Sequence, residues 1–77
     1  MTRIEFLRRE LGWKQKELAD QYNGHSCDIS QIELGVRKPW PRVRKSIAQA
    51  LGVSEADLFD DNGWPLEVDW ELPSRVG

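Results

Sequence analysis

The chain has 77 residues, a formal net charge of −2, one cysteine and 31% charged residues. That length supports one domain with a small core, burying about 60% of the surface of the unfolded chain. No apolar run is long enough to cross a membrane, no signal-peptide pattern follows Met1, and one cysteine excludes an internal disulfide, so the sequence reads as an intracellular, cytoplasmic protein with no membrane partner.

The first predicted helix runs from about Thr2 to Leu11, with Ile4, Leu7, Arg8 and Leu11 on its inward face. Gly12 ends it, and Trp13 is expected to fill the core beneath the start of the next helix. The second helix covers about Gln15 to Tyr22, with Leu18 and the small Ala19 midway, where another backbone can come close. Asn23-Gly24 supplies a turn, because both residues tolerate positive φ. The third helix, from about Ser26 to Leu34, places Ile29, Ile32 and Glu33 on one face and stops at Gly35. Ser26, Cys27, Ser30 and Gln31 occupy the other face, small or polar and free to touch a partner.

A loop over residues 35–40 follows, and Pro41 suits the first turn of a fourth helix reaching Leu51. Val43, Ile47, Ala50 and Leu51 form its buried side. Gly52 breaks it, and Ser54 with Asp57 three residues on has the look of a capping box for a fifth helix that ends on Leu58 and Phe59. The arrangement is all-α: residues 1–60 as a bundle of about five helices with a helix-turn-helix, and residues 61–77 as an extended acidic tail.

The tail has its own pattern. From Trp64 to Leu72, Trp64, Leu66, Val68, Trp70 and Leu72 alternate with Pro65, Glu67, Asp69 and Glu71, a period-two strand pattern entered through Asp61-Asn62-Gly63 and closed by Pro73. A lone strand leaves its backbone groups unpaired, and the helical bundle is expected to offer no strand of its own. Residues 64–72 are therefore expected to make a homodimer across a two-fold axis. The alternatives are folding back onto the same domain and disorder. Charge divides along the same boundary. Residues 1–50 carry ten basic against six acidic residues, a net of +4, whereas residues 51–77 carry one against seven, a net of −6. A basic body is compatible with phosphate binding although the whole chain is acidic.

Taken in order and spacing, Gln15-x-Glu17-Leu18-Ala19, Ile29-Ser30-Gln31-Ile32-Glu33-x-Gly35-x-Arg37-Lys38-Pro39, Ile47-Ala48-x-Ala50-Leu51-Gly52-Val53 and Leu58-Phe59 resemble the DNA-binding domain of the phage repressor and Cro family over roughly residues 3–60. The resemblance implies a compact bundle whose third helix enters the major groove of double-stranded DNA. It places Ser26, Cys27 and Gln31 at base-reading positions, with Gln31 suited to pair bidentately with adenine. It places Gln15 and Lys14 at the start of helix 2, with Ser30, Arg37, Lys38 and Arg42, against phosphates. It also implies a partly buried ion pair between Arg8 and Glu33 that locks the recognition helix to helix 1.

Three positions depart from the family pattern. Lys14 stands where a capping Ser or Thr is common, Asn23-Gly24 where Gly and an apolar residue are usual, and Trp40 where a capping Ser is frequent, so looser helix starts are expected. His25 and Cys27 are too few for a structural zinc site, and neither a cofactor nor a catalytic constellation is expected. The functional expectation is a sequence-specific DNA-binding regulator, a repressor of phage or mobile-element type in a bacterium. The alternative is a protein-interaction module, antitoxin-like or an adaptor, that uses the acidic tail.

Overall fold

A computed structural model describes residues 1–68. Five helices follow in chain order: α1 (Arg3–Glu10), α2 (Gln15–Asp20), α3 (Ser26–Glu33), α4 (Pro41–Leu51) and α5 (Glu55–Leu58). Each begins close to where the sequence puts it. Thr2 caps α1, its hydroxyl accepting from the Glu5 amide at 3.3 Å. At α2 a lysine ammonium has no lone pair to offer, so only half of a capping box exists: Glu17 accepts from the Lys14 amide at 2.6 Å. Neither Lys14 nor Trp40 caps its helix through a side chain, as expected from the departures at those positions.

The core is one cluster: Ile4 from α1, Leu18 and Ala19 from α2, Ile29 and Ile32 from α3, Ile47, Ala48 and Leu51 from α4, and Leu58 with Phe59 at the end of α5. Each large aliphatic side chain fully removed from water contributes about 1.5–3 kcal/mol, which makes these positions the main cohesive force of so small a domain. Trp13 packs half-buried against the cluster, as expected, together with Leu7, Tyr22, Val43, Ala50 and Val53. Leu11 is a correction. It is 50% exposed, because α1 ends at Glu10 and the chain leaves the inward face there before Gly12 turns it.

The turn between α2 and α3 has a different chemistry from the one expected. Asn23 alone takes positive φ, at 59°. Gly24 is needed for space instead, since a Cβ there would collide with the Tyr22 ring. The amides of Tyr22 and Gly24 both close on the Ala19 carbonyl, at 3.2 and 2.8 Å, which folds the turn back onto the end of α2.

The expectation that the bundle offers the tail no pairing partner is overturned for residues 64–68. Asp60 first nucleates the turn, its carboxylate accepting from the Asn62 and Trp64 amides at 2.8 and 2.9 Å. The chain then runs back antiparallel to its own first residues, with isolated bridges Thr2–Glu67 and Phe59–Pro65. Backbone bonds join Arg3 to Leu66 (2.9 Å), Val68 to Met1 (2.8 Å) and Leu66 to Leu58 (2.8 Å), and the amino terminus meets Glu67 at 3.1 Å. The two extended residues before α1 and the end of α5 are the unanticipated partners, and they leave Thr2 fully buried. The rest of the period-two segment, residues 69–72, lies outside the described residues.

Candidate nucleic-acid interface

The third helix is held from behind by a network of charge. Arg8 donates from Nε to Glu33 Oε2 at 2.5 Å and from Nη2 to Glu33 Oε1 at 3.1 Å, a bidentate fork, while its Nη1 donates to the Trp13 carbonyl at 2.6 Å. The two side chains are 9% and 2% exposed. Such a pair is expensive to desolvate and keeps its place only when every donor and acceptor is matched. Here the third ligand of the carboxylate is Gln15 Nε2, at 3.0 Å. The family resemblance implied that Gln15, at the entrance of α2, faces phosphate. The structure shows it half-buried with one amide hydrogen already engaged, tying α2 into the lock between α1 and α3.

On the opposite side of α3, Ser26, Cys27 and Gln31 are exposed, with Ser30 and Asp28 half-buried between them and the core. The helix therefore divides as its sequence predicts, Ile29, Ile32 and Glu33 inward and the small polar residues outward. No side chain caps its first turn, where His25 holds the capping position. Tyr22 lies beside this face. Its hydroxyl is buried without a hydrogen-bond partner, and burial, reinforced by the Asp28 carboxylate and opposed by Arg37, pushes its pKa above the usual phenol value.

The cations sort into two groups. Arg9 pairs with Glu5 at 2.6 Å and Lys16 with Asp20 at 3.3 Å, one helical turn apart, an ordinary surface role. Arg3 is structural, donating to the carbonyls of Asp57 and Glu67. Arg44 is structural too: it donates to the Pro39 carbonyl at 2.9 Å and lies where a Cβ on Gly63 would stand, so it fastens the loop before α4 to the turn entering the tail. By contrast, Lys14, Lys38 and Arg42 are exposed and make no ion pair among the described residues, and Lys45 is like them. Three of the six residues named as phosphate ligands are thus free cations. Arg37 is not. It folds onto α3 and donates from Nη1 to Gln31 Oε1 at 3.0 Å, with Asp28 Oδ1 3.3 Å away. Sequence reasoning missed that contact, although Asp28 and Gln31, three residues apart on one helix, signal a shared partner.

Among the described residues no group of three or more His, Cys, Asp or Glu side chains is placed to hold a metal ion, and no helix is long and apolar enough to cross a membrane.

A family model described as a helix-turn-helix domain matches residues 2–63. The chain is also similar to the competence pilus inhibition repressor of Acinetobacter baylyi, 32% identical over 73 residues that cover 88% of this chain. The chain spans 66% of that relative's length. No solved structure matches it.

Proposed function

The chain belongs to the helix-turn-helix family of DNA-binding regulators, and on that premise we propose that it binds double-stranded DNA sequence-specifically through α3 and acts in the bacterial cytoplasm as a repressor. The observation that carries this reading is the division of α3. One face is locked by Arg8, Glu33 and Gln15, and the other presents Ser26, Cys27 and Gln31 to solvent on a rigid rod of major-groove width. Gln31 reads adenine, Ser26 meets a base or phosphate, and Cys27 meets a thymine methyl. Lys14, Lys38 and Arg42, with Ser30 and the remaining amide hydrogen of Gln15, hold phosphates on either side. No catalytic step or cofactor is involved.

Repression then works by occlusion: two recognition helices fill adjacent major grooves and exclude polymerase, which asks for a homodimer whose helices stand about 34 Å apart. Because backbone groups of Trp64, Leu66 and Val68 pair within their own chain, we assign the dimer contact to side chains, with the 41%-exposed Trp64 and the residues that follow it as the first candidates. The repressor name of the Acinetobacter relative supports the sign of regulation.

Binding of the full chain to mixed duplex DNA at several salt concentrations tests the reading. Three phosphate-neutralising cations predict a log–log slope of about −3 per protomer. A slope near zero, or no binding, returns the protein to the interaction-module alternative.

A further inference from the structure

The end of α3 is built to fold the following residue back along the helix. Gly35, at φ +79°, and Val36 close a six-to-one and a five-to-two bond: Val36 N to Gln31 O at 3.2 Å and Gly35 N to Ile32 O at 3.0 Å. This is a Schellman motif, which reverses the chain direction at a helix end. Arg37 is the first residue beyond it and returns over the outer face of α3, where Nη1 reaches Gln31 Oε1 and, one turn nearer the helix start, Asp28 Oδ1.

That placement has two consequences for the guanidinium. Nη1 is engaged, by a hydrogen bond to Gln31 and an ion pair with Asp28, so the fork made by Nε and Nη2 is left, and among the described residues no acceptor lies against it. The Arg37 side chain is 45% exposed, so this fork faces solvent on the same side of the helix as Gln31. A phosphate contact needs positive charge at the right distance and little angular control, and Lys14, Lys38 and Arg42 already offer it. A planar fork with its direction set by two other side chains is what the O6 and N7 acceptors of guanine demand. The same contact accounts for Asp28. A bare carboxylate on a face turned to a polyanion is unfavourable, and Arg37 neutralises it.

We propose that Arg37 reads a guanine in the major groove, with Asp28 and Gln31 as the residues that position its guanidinium, rather than binding a phosphate. The proposal rests on the DNA-binding reading above and adds a G·C pair to each half-site, next to the base that Gln31 contacts. Asp28 takes no part in touching DNA.

Selection of bound sites from random duplexes by the full chain, followed by affinity measurements on the selected site, tests it. The wild type enriches one guanine per half-site for which R37K, which keeps the charge but loses the fork, shows no preference. Discrimination at that pair falls about tenfold or more, while preference elsewhere and the salt slope persist. Replacing that guanine by 7-deazaguanine, which lacks N7, weakens wild-type binding and leaves R37K unchanged. Asp28→Asn weakens the guanine preference without abolishing it, because the fork is then held by Gln31 alone. If R37K selects the same guanine as the wild type, or R37A weakens all sequences alike with the salt slope reduced by about one, Arg37 is a phosphate ligand and the proposal fails. A wild type that binds with steep salt dependence but selects no sequence also overturns it. A wild type that does not bind DNA at all defeats the broader reading with it. Circular dichroism of each variant checks that the fold is intact.

Discussion

Replacing Glu33 by alanine takes the carboxylate away from the Arg8 fork, whose side chain is 9% exposed in the intact protein. Three hydrogen bonds end on the Glu33 carboxylate, two from Arg8 and one from Gln15, so the substitution strands donors on two other helices. Stranding one partner of a buried pair costs about 3–5 kcal/mol. A domain of this length has a total stability of roughly 4–12 kcal/mol, so Glu33→Ala removes a large share of it. The melting temperature should fall by at least about 12 °C, at about 4 °C or more per kcal/mol. Arg8→Met/Glu33→Leu behaves differently, because both charges leave together and the space is refilled. It should stay within about 2 kcal/mol of the wild type, far less than the losses of Arg8→Met and Glu33→Leu, each made alone, combined. Gln15→Ala leaves the fork intact and costs about 1 kcal/mol. Urea unfolding followed by far-UV circular dichroism, with tryptophan fluorescence as a second probe, gives these values. Single substitutions of Arg8 or Glu33 costing under about 1 kcal/mol, or two such singles that simply add up to the double, would refute the claim that this network is one coupled unit.

Gln31→Ala should relax base preference at one step of each half-site, costing roughly 1–3 kcal/mol there; uniform weakening over all sequences in a binding-site selection counts against base reading. Tyr22→Phe removes a buried hydroxyl that has no partner, so stability in urea should be unchanged or rise by up to about 1 kcal/mol, and a clear loss would mean the hydroxyl is satisfied. Because the Tyr22 pKa is raised on folding, the folded state holds its proton more tightly than the unfolded chain. Stability from this residue is therefore complete below the unfolded value of about 10 and is lost as pH climbs through the folded value; Tyr22→Phe should flatten that alkaline fall in a pH series of urea titrations. A chain ending at Gly63 loses the backbone pairing of residues 64–68 with Met1, Arg3, Leu58 and Asp60 and uncovers Thr2. It should melt about 10 °C lower by calorimetry, and sedimentation of the same chain shows whether association depends on the tail: an unchanged association state removes the tail from the dimer interface.

Local pattern determined most of this protein. The starts of the helices, the stop glycines at Gly12, Gly35 and Gly52, the inward triplet Ile29, Ile32 and Glu33, and the outward Ser26, Cys27 and Gln31 follow from periodicity and capping chemistry within a few residues, which act before any long-range contact forms. The Arg8–Glu33 pair was legible as well, since both charges sit on inward faces and each needs the other there. Tertiary structure decided the remainder, wherever an outcome depended on which groups meet across a turn or between distant segments. Whether Gln15 faces phosphate or Glu33 depends on how α2 crosses α3, and the side of α3 that Arg37 returns to depends on the Schellman reversal at Gly35. The tail shows the limit most clearly. Its alternation announced an extended segment needing a partner, but the partner is a pair of short stretches, Met1–Arg3 and Leu58–Phe59, each too brief to carry a strand pattern of its own. Only the packing of α1 beside α5 brings them together, and a hydrogen-bonding edge assembled from two ends of a chain has no signature in either one.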